Sequence, residues 1–168
     1  MSKIKCTGVL LAVSNIERSK KFYQTVMEQE ILIDTGNMVD FKEIFVLYEN
    51  YPELVAGGGK ISNKPTGAAL KITEKPNNFQ LAFEVDDLDS CFEKIKSTEG
   101  IEILHDISEY SWGQRVFRFY DYDKHIVEVG EDLVVVIKRF LSQGLSLEAV
   151  AERLDYPIEV VQKLLQND

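Results

Sequence analysis

The sequence predicts an α+β fold: two successive β-α-β units of similar pattern, followed by a small all-α tail. Three observations carry this expectation. A strand-to-helix stretch occurs twice, as Val13-Ser14-Asn15-Ile16-Glu17 and as Val85-Asp86-Asp87-Leu88-Asp89, and a pattern repeated at a fixed offset marks a duplicated structural unit. Apolar alternation of period two precedes each copy, and helical spacing follows each. After Gly130-Glu131-Asp132 the alternation stops, and helical spacing continues to the end of the chain.

Taken in order, Val9, Leu11 and Val13 point one way along the first strand, with Gly8, Leu10 and Ala12 opposite. Asn15 is an N-cap, accepting an orphan amide of the first helical turn. Phe22, Tyr23, Val26 and Met27 then form an apolar helical face. Strands are expected at about 41–49 and 66–75. In the second copy, Leu81, Phe83 and Val85 oppose Gln80, Ala82 and Glu84. Asp87 caps a helix whose Leu88, Cys91, Phe92 and Ile95 fall on one stripe. Strands follow at 101–110, 113–121 and 124–130. The Ala56-Gly57-Gly58-Gly59 run between the halves lacks a Gly-Lys-Ser/Thr ending and a following helix, so it reads as a loop rather than a phosphate cradle.

Composition narrows the function classes. Of 168 residues 45% are hydrophobic and 28% charged, which is a globular balance. The formal net charge of −9 opposes binding to nucleic acid or anionic lipid, whose phosphates need a basic surface. No apolar run reaches the roughly 20 residues of a membrane span, and the N-terminus has no signal-like apolar core. Cys6 and Cys91 form no disulfide framework. A cytoplasmic protein is the expectation.

The doubled module, together with Val-Ser-Asn-Ile-Glu-Arg-Ser-Lys-Lys-Phe-Tyr at 13–23 and Trp-Gly-Gln-Arg-Val-Phe-Arg-Phe-Tyr-Asp-Tyr-Asp-Lys-His-Ile-Val-Glu-Val at 112–129, resembles the glyoxalase/bleomycin-resistance/extradiol-dioxygenase (vicinal oxygen chelate) superfamily. The likeness spans about residues 4–131. It implies a glyoxalase-like domain over 1–131, built of βαβββ modules at about 4–75 and 78–131 whose sheets curl into a cup, with 132–168 as a helical extension. It also implies a homodimer. Metal-dependent members take four ligands from four inner strand faces. Those positions fall here at Gly8, near Lys71, at Gln80 and at Glu128. Glycine has no donor and an ammonium repels a cation, so two ligands of four remain, too few for a divalent ion. The expectation is no metal and no cofactor.

The candidate site residues are Gln80, Trp112, Arg118 and Glu128. Strand alternation puts Val116, Arg118 and Tyr120 on one face and Phe117 and Phe119 on the other, with Ile126, Glu128 and Gly130 also facing inward. Arginine forks planar polar groups, and a pocket glutamate takes a proton, which makes Glu128 the candidate catalytic acid/base. The competing reading is a cross-strand Arg118–Glu128 ion pair. His125 is read as a turn residue, His105 as an edge residue and Cys91 as a small helix hydrophobe.

The tail is expected as three helices: 133–141 stopped by Gly144, a second capped by Ser146, and a third opened by Pro157 with Val160, Val161, Leu164 and Leu165 on one face. It looks like a helix-turn-helix. Residues 131–168 carry seven acids against four bases, the wrong sign for DNA, so a packing or dimer-forming role is favoured. The functional expectation is a cup that binds a small polar or aromatic ligand. A metal-dependent lyase or isomerase of the glyoxalase type, with Glu128 as ligand or base, stands as the alternative. A ligand-sensing regulator using the tail is the third reading.

Overall fold

The computed structural model describes residues 8–42, 44–49, 75 and 77–166. Cys6, the Ala56–Gly59 loop, the strand expected at 66–75 and Lys71 lie outside these residues. Contacts divide the chain into two units. One holds the described residues up to Lys75 together with Tyr122–Lys124, and the other holds Asn77–Asp121 and the described residues from His125 onward.

In the first unit, β1 (Val9–Val13) leads into α1 (Ile16–Lys21), which continues as one π-helical turn over Phe22–Val26. The strands β2 (Ile33–Asp34), β3 (Met38–Phe41) and β4 (Phe45–Glu49) follow. They form a four-stranded sheet of order β1-β4-β3-β2, with β1 parallel to β4 and the rest antiparallel. The strand-rich segment expected over 41–49 holds the end of β3 at Phe41, a turn, and β4 from Phe45. The Ile44 amide donates to the Phe41 carbonyl at 3.0 Å across the turn, and Lys42 takes a positive φ. Phe41 and Phe45 stack at 4.8 Å, with the Tyr23 ring edge-on to Phe45 at 4.9 Å. The short β2, not expected, is paired with β3 through an Asp34–Asn37 turn in which the Gly36 amide donates to Asp34 Oδ1 at 2.9 Å.

The second unit repeats this order. β5 (Gln80–Val85), α2 (Leu88–Lys96), β6 (Glu102–Glu109), β7 (Arg115–Tyr120) and β8 (Ile126–Glu131) make a sheet of order β5-β8-β7-β6, with β5 parallel to β8. Strand alternation is kept: Phe117, Phe119, Val127 and Val129 are buried under α2, where Phe92 meets Phe117 edge-to-face at 5.0 Å. Both expected caps are made, Asn15 accepting from the Arg18 amide at 2.9 Å and Asp87 from the Ser90 amide at 3.0 Å. The fold is α+β: two βαβββ modules and a helical tail.

The two motifs that carry the family likeness are physically joined. Asp123, from the Asp-Tyr-Asp-Lys-His turn, accepts from the Ser14 amide at 2.9 Å, the Ser14 hydroxyl at 2.5 Å and the Ser19 hydroxyl at 3.1 Å. Arg18 lies over the Tyr122 ring at 4.7 Å. A buried carboxylate needs such donors to offset its desolvation, which ties the sequence of the α1 start to that of a turn far along the chain. His125, buried, is held by Asp121 through both its amide and Nδ1, each at 2.9 Å.

The tail forms α3 (Leu133–Ser142), α4 (Leu147–Leu154) and α5 (Ile158–Gln166), and it belongs to the second unit. Gly144 ends α3 with φ +89°, and Ser146 caps α4. Val136, Ile137, Phe140, Val150, Ala151, Leu154 and Val161 make its core. Val160 is exposed, not buried with Val161 as expected. Adjacent residues on a helix point about 100° apart, and Ile158 fills the stripe instead. The tail is fastened to the sheet by Glu131. Its buried carboxylate accepts from Arg115 Nε at 2.8 Å and from Arg139 Nη2 at 3.0 Å, while the same Arg139 nitrogen donates to the Gly113 carbonyl at 2.6 Å. Arg153 of α4 also lies over Phe140 at 4.3 Å.

Candidate functional site

The second module's sheet gathers Gln80, Arg118 and Glu128 onto one face. Antiparallel register sets Arg118 opposite Glu128, and parallel register sets Gln80 beside Ile126 and Ala82 beside Glu128. The period of two then brings all three side chains to the same side. Arg118 is the hub. Its Nη2 donates to Glu128 Oε2 and to the Tyr110 hydroxyl, its Nε donates to Gln80 Oε1 at 3.1 Å, and its Nη1 donates to His105 Nε2 at 3.1 Å. The Tyr110 hydroxyl donates in turn to Glu128 Oε2 at 3.3 Å. Both charged side chains are largely covered, with 22% of Arg118 and 17% of Glu128 exposed. The cross-strand ion pair anticipated from the sequence is present, and it is the centre of a larger network.

Two members of the network were not singled out by sequence reasoning. His105 was expected as an edge residue. It does lie on the edge strand β6, but half-buried and bonded to Arg118. A guanidinium has no lone pair, so His105 Nε2 must accept, and Nδ1 carries the proton it donates to the Asp106 carbonyl at 2.8 Å. The placement comes from register shifts in β6: Ile103 pairs with Phe119, but His105 pairs with Arg118. Without the extra residue Leu104 would oppose Arg118. Tyr110 reaches the site from the β6–β7 turn. There the Gly113 amide donates to the Tyr110 carbonyl at 2.8 Å, and the turn stacks Tyr110 on Trp112 at 4.1 Å.

Trp112 meets the network through Tyr110. Its ring covers Tyr110, and its other surroundings are Gln114, Leu133, Leu154 and Tyr156, which with it line a separate cavity of about 170 Å³ against the tail. A second cavity, of about 310 Å³, adjoins the Arg118 network and is lined by Asn77, Asn78, Phe79, Gln80 and Ile126.

Glu84, further along the same face of β5, has its carboxyl pushed above the usual range. Burial of the carboxyl disfavours its charge, the neighbouring Asp132 carboxylate adds repulsion, and a hydrogen bond from Gln114 offsets only part of this. A carboxyl raised in the fold contributes stability that is complete below its unfolded value and is lost as pH rises through its folded value. Glu84→Gln is therefore expected to stabilise the protein at pH 7 and to leave it little changed at pH 4. Urea midpoints at the two pH values check this, and an equal effect at both would contradict it.

The donors at this face do not suit a divalent ion. Of the four positions that the resemblance would give to ligands, Gly8 has no side chain, and Lys71 lies outside the described residues. Gln80 Oε1 and Glu128 Oε2 already accept from Arg118. A metal ion bound to both would share its ligands with a guanidinium, charge against charge. Among the described residues no group of three or more His, Cys, Asp or Glu side chains is arranged to hold a metal.

No helix among the described residues is long and apolar enough to cross a membrane. Comparison with solved structures finds many of the same fold. A protein of unknown function from Agrobacterium tumefaciens str. C58 is 33% identical, with a TM-score of 0.61 over 79% of this chain and 97% of its own. A glyoxalase-related enzyme from Fulvimarina pelagi is 17% identical, with a TM-score of 0.60 over 77% and 89%. A lactoylglutathione lyase from Agrobacterium tumefaciens is 18% identical, with a TM-score of 0.54 over 79% and 97%. At those last two identities the likeness is one of fold. No curated protein matches the chain. The glyoxalase-like domain family matches residues 6–134, both βαβββ modules and the first turn of α3, and the chain belongs to that family.

Proposed function

We propose that the protein binds a small polar or aromatic molecule at the Gln80–Arg118–Glu128 face, without a metal ion. The supporting observation is the guanidinium of Arg118, which takes up the Gln80 and Glu128 oxygens and supplies the positive charge there itself. An Arg–Glu pair with amide and phenol neighbours is a polar recognition surface, and the adjoining cavity supplies apolar contact from Phe79 and Ile126.

Metal analysis of the purified protein tests this. The expected result is less than a tenth of an equivalent of any divalent ion, unchanged in Glu128→Ala. About one equivalent of zinc, nickel, iron or manganese, lost in Glu128→Ala, would overturn it.

One observation supports a lyase or isomerase reading beside it. Glu128 Oε1 makes no hydrogen bond among the described residues, so that oxygen is open to a ligand's proton while Oε2 is held by Arg118. Family membership also supports a homodimer. Light scattering on the purified protein reads the dimer directly: a mass near 38 kDa is twice the 19.2 kDa chain, and a mass at the single-chain value removes it.

A further inference from the structure

The hydrogen-bonding valences left open beside Arg118 specify the ligand's chemistry. This inference rests on the metal-free reading and deepens it. We infer that the cavity next to Gln80 receives an oxygen acceptor, a carbonyl or carboxylate group on a small aryl or alkyl body, held by the side-chain amide N–H groups of Asn77 and Gln80.

Both carboxamides border the cavity, and in both the oxygen is already used. Gln80 Oε1 accepts from Arg118 Nε at 3.1 Å, and Asn77 Oδ1 accepts from the Tyr120 hydroxyl at 2.7 Å. Arginine Nε can only donate, so the atom facing it on Gln80 must be the oxygen. Each amide nitrogen is therefore turned away from these partners, and neither makes a hydrogen bond among the described residues. A carboxamide free to rotate would offer donor or acceptor alike. Two carboxamides whose oxygens each already accept one bond present their N–H groups as the wholly open valences, and preorganised donors lose less entropy on binding.

Charge sharpens the choice. Arg118 is balanced by Glu128, so the donors next to the cavity come from neutral amides and a compensated cation. A ligand ammonium would find on Asn77 and Gln80 only oxygens that already accept one bond, whereas a carbonyl or carboxylate oxygen accepts from both open amide N–H groups. Phe79 and Ile126 line the same space and suit the body of the molecule. The volume, about 310 Å³, lies at the small end of ligand pockets, which run from about 300 to 1,000 Å³. Tyr120, buried at 4% exposure, acts as a positioning residue: it does not border the cavity, and its hydroxyl holds the Asn77 side chain.

The test uses three probes of one size and shape: acetophenone, benzoate and benzylamine. Each is titrated into the full-length ¹⁵N-labelled protein while the side-chain amide signals are followed, assigned with Asn77→Asp and Gln80→Glu. Acetophenone, benzoate or both are expected to move the Asn77 and Gln80 signals saturably, and benzylamine is not. A response to acetophenone alone assigns a neutral carbonyl, and one to benzoate alone assigns a carboxylate. Asn77→Asp, which exchanges a donor for an acceptor, is expected to weaken binding at least tenfold. Tyr120→Phe keeps the ring and should weaken it about three- to tenfold by releasing Asn77. Benzylamine binding as tightly as the oxygen probes, or no saturable shift at either amide with either oxygen probe, would overturn the inference. Metal content of the same sample separates the two readings: a divalent ion lost in Glu128→Ala removes the metal-free proposal, and a preference for benzylamine removes this one.

Discussion

Arg118→Met is expected to destabilise the protein by about 3 kcal/mol, the low end of the cost of removing one partner from a buried ion pair. The low end applies because water reaches part of both side chains, 22% of Arg118 and 17% of Glu128. The loss comes chiefly from what stays behind. Glu128 keeps its charge with only the Tyr110 hydroxyl as a donor, and His105 Nε2 and Gln80 Oε1 lose theirs. Pairing Arg118→Met with Glu128→Leu removes the stranded charge and is expected to recover more than half of the stability, a non-additivity that a double-mutant cycle reads directly. Urea denaturation of the wild type, the two single variants and the double variant checks it. If the double variant lost the sum of the single losses, Arg118 and Glu128 would not be acting as a unit.

Gly113→Ala is expected to be comparably damaging, for a reason of space and backbone together. A Cβ at residue 113 would stand 2.1 Å from Phe140 Cζ and 2.8 Å from Cε2, in a backbone with φ +96°. The left-handed backbone costs a side chain about 1–3 kcal/mol. The Phe140 ring, 1% exposed in the tail core, has to move as well, and overpacking adds about 1–3 kcal/mol. The turn is joined to the tail through Arg139, so the damage should spread to α3–α5. Trp112, the chain's single tryptophan, sits next to the substitution and reports it. Its emission should shift to the red at temperatures where the wild type is still folded. The added Phe140→Leu should restore part of the midpoint by making room for the methyl. A Gly113→Ala protein with an unchanged melting temperature would show that the ring yields without cost.

Much of the site was legible because strand alternation is a local rule. Gln80, Arg118 and Glu128 could be assigned to one face from their odd or even place in three short strands, and the sheet keeps them there. The ion pair was visible as one of two readings for the same reason. Trp112 is not placed by this rule. Its position follows from the Tyr110–Gly113 turn and from Leu133, Leu154 and Tyr156, none of which a strand pattern describes. Tyr110 was missed on the same ground, since a turn residue has no alternating neighbours to assign it a face. The turn between β3 and β4 was not singled out because it carries no proline and no asparagine-glycine pair to announce it.

By itself the sequence determined the two modules, most of their strands, and the caps Asn15, Asp87 and Ser146. Each of these depends on residues within one or two turns of one another, where sterics, capping and hydrophobic period act directly. The tertiary structure decided which side chains meet Arg118. A register slip in β6 exchanges Leu104 for His105 opposite it, and a one-residue slip reverses which side chains face the site. It also decided that Asp123 serves Ser14 and Ser19, and that Gly113 is where Phe140 comes to rest. Those contacts join residues from 13 to 109 positions apart. Register, close packing and the pairing of buried charge depend on what the folded chain brings alongside, and no local pattern encodes that.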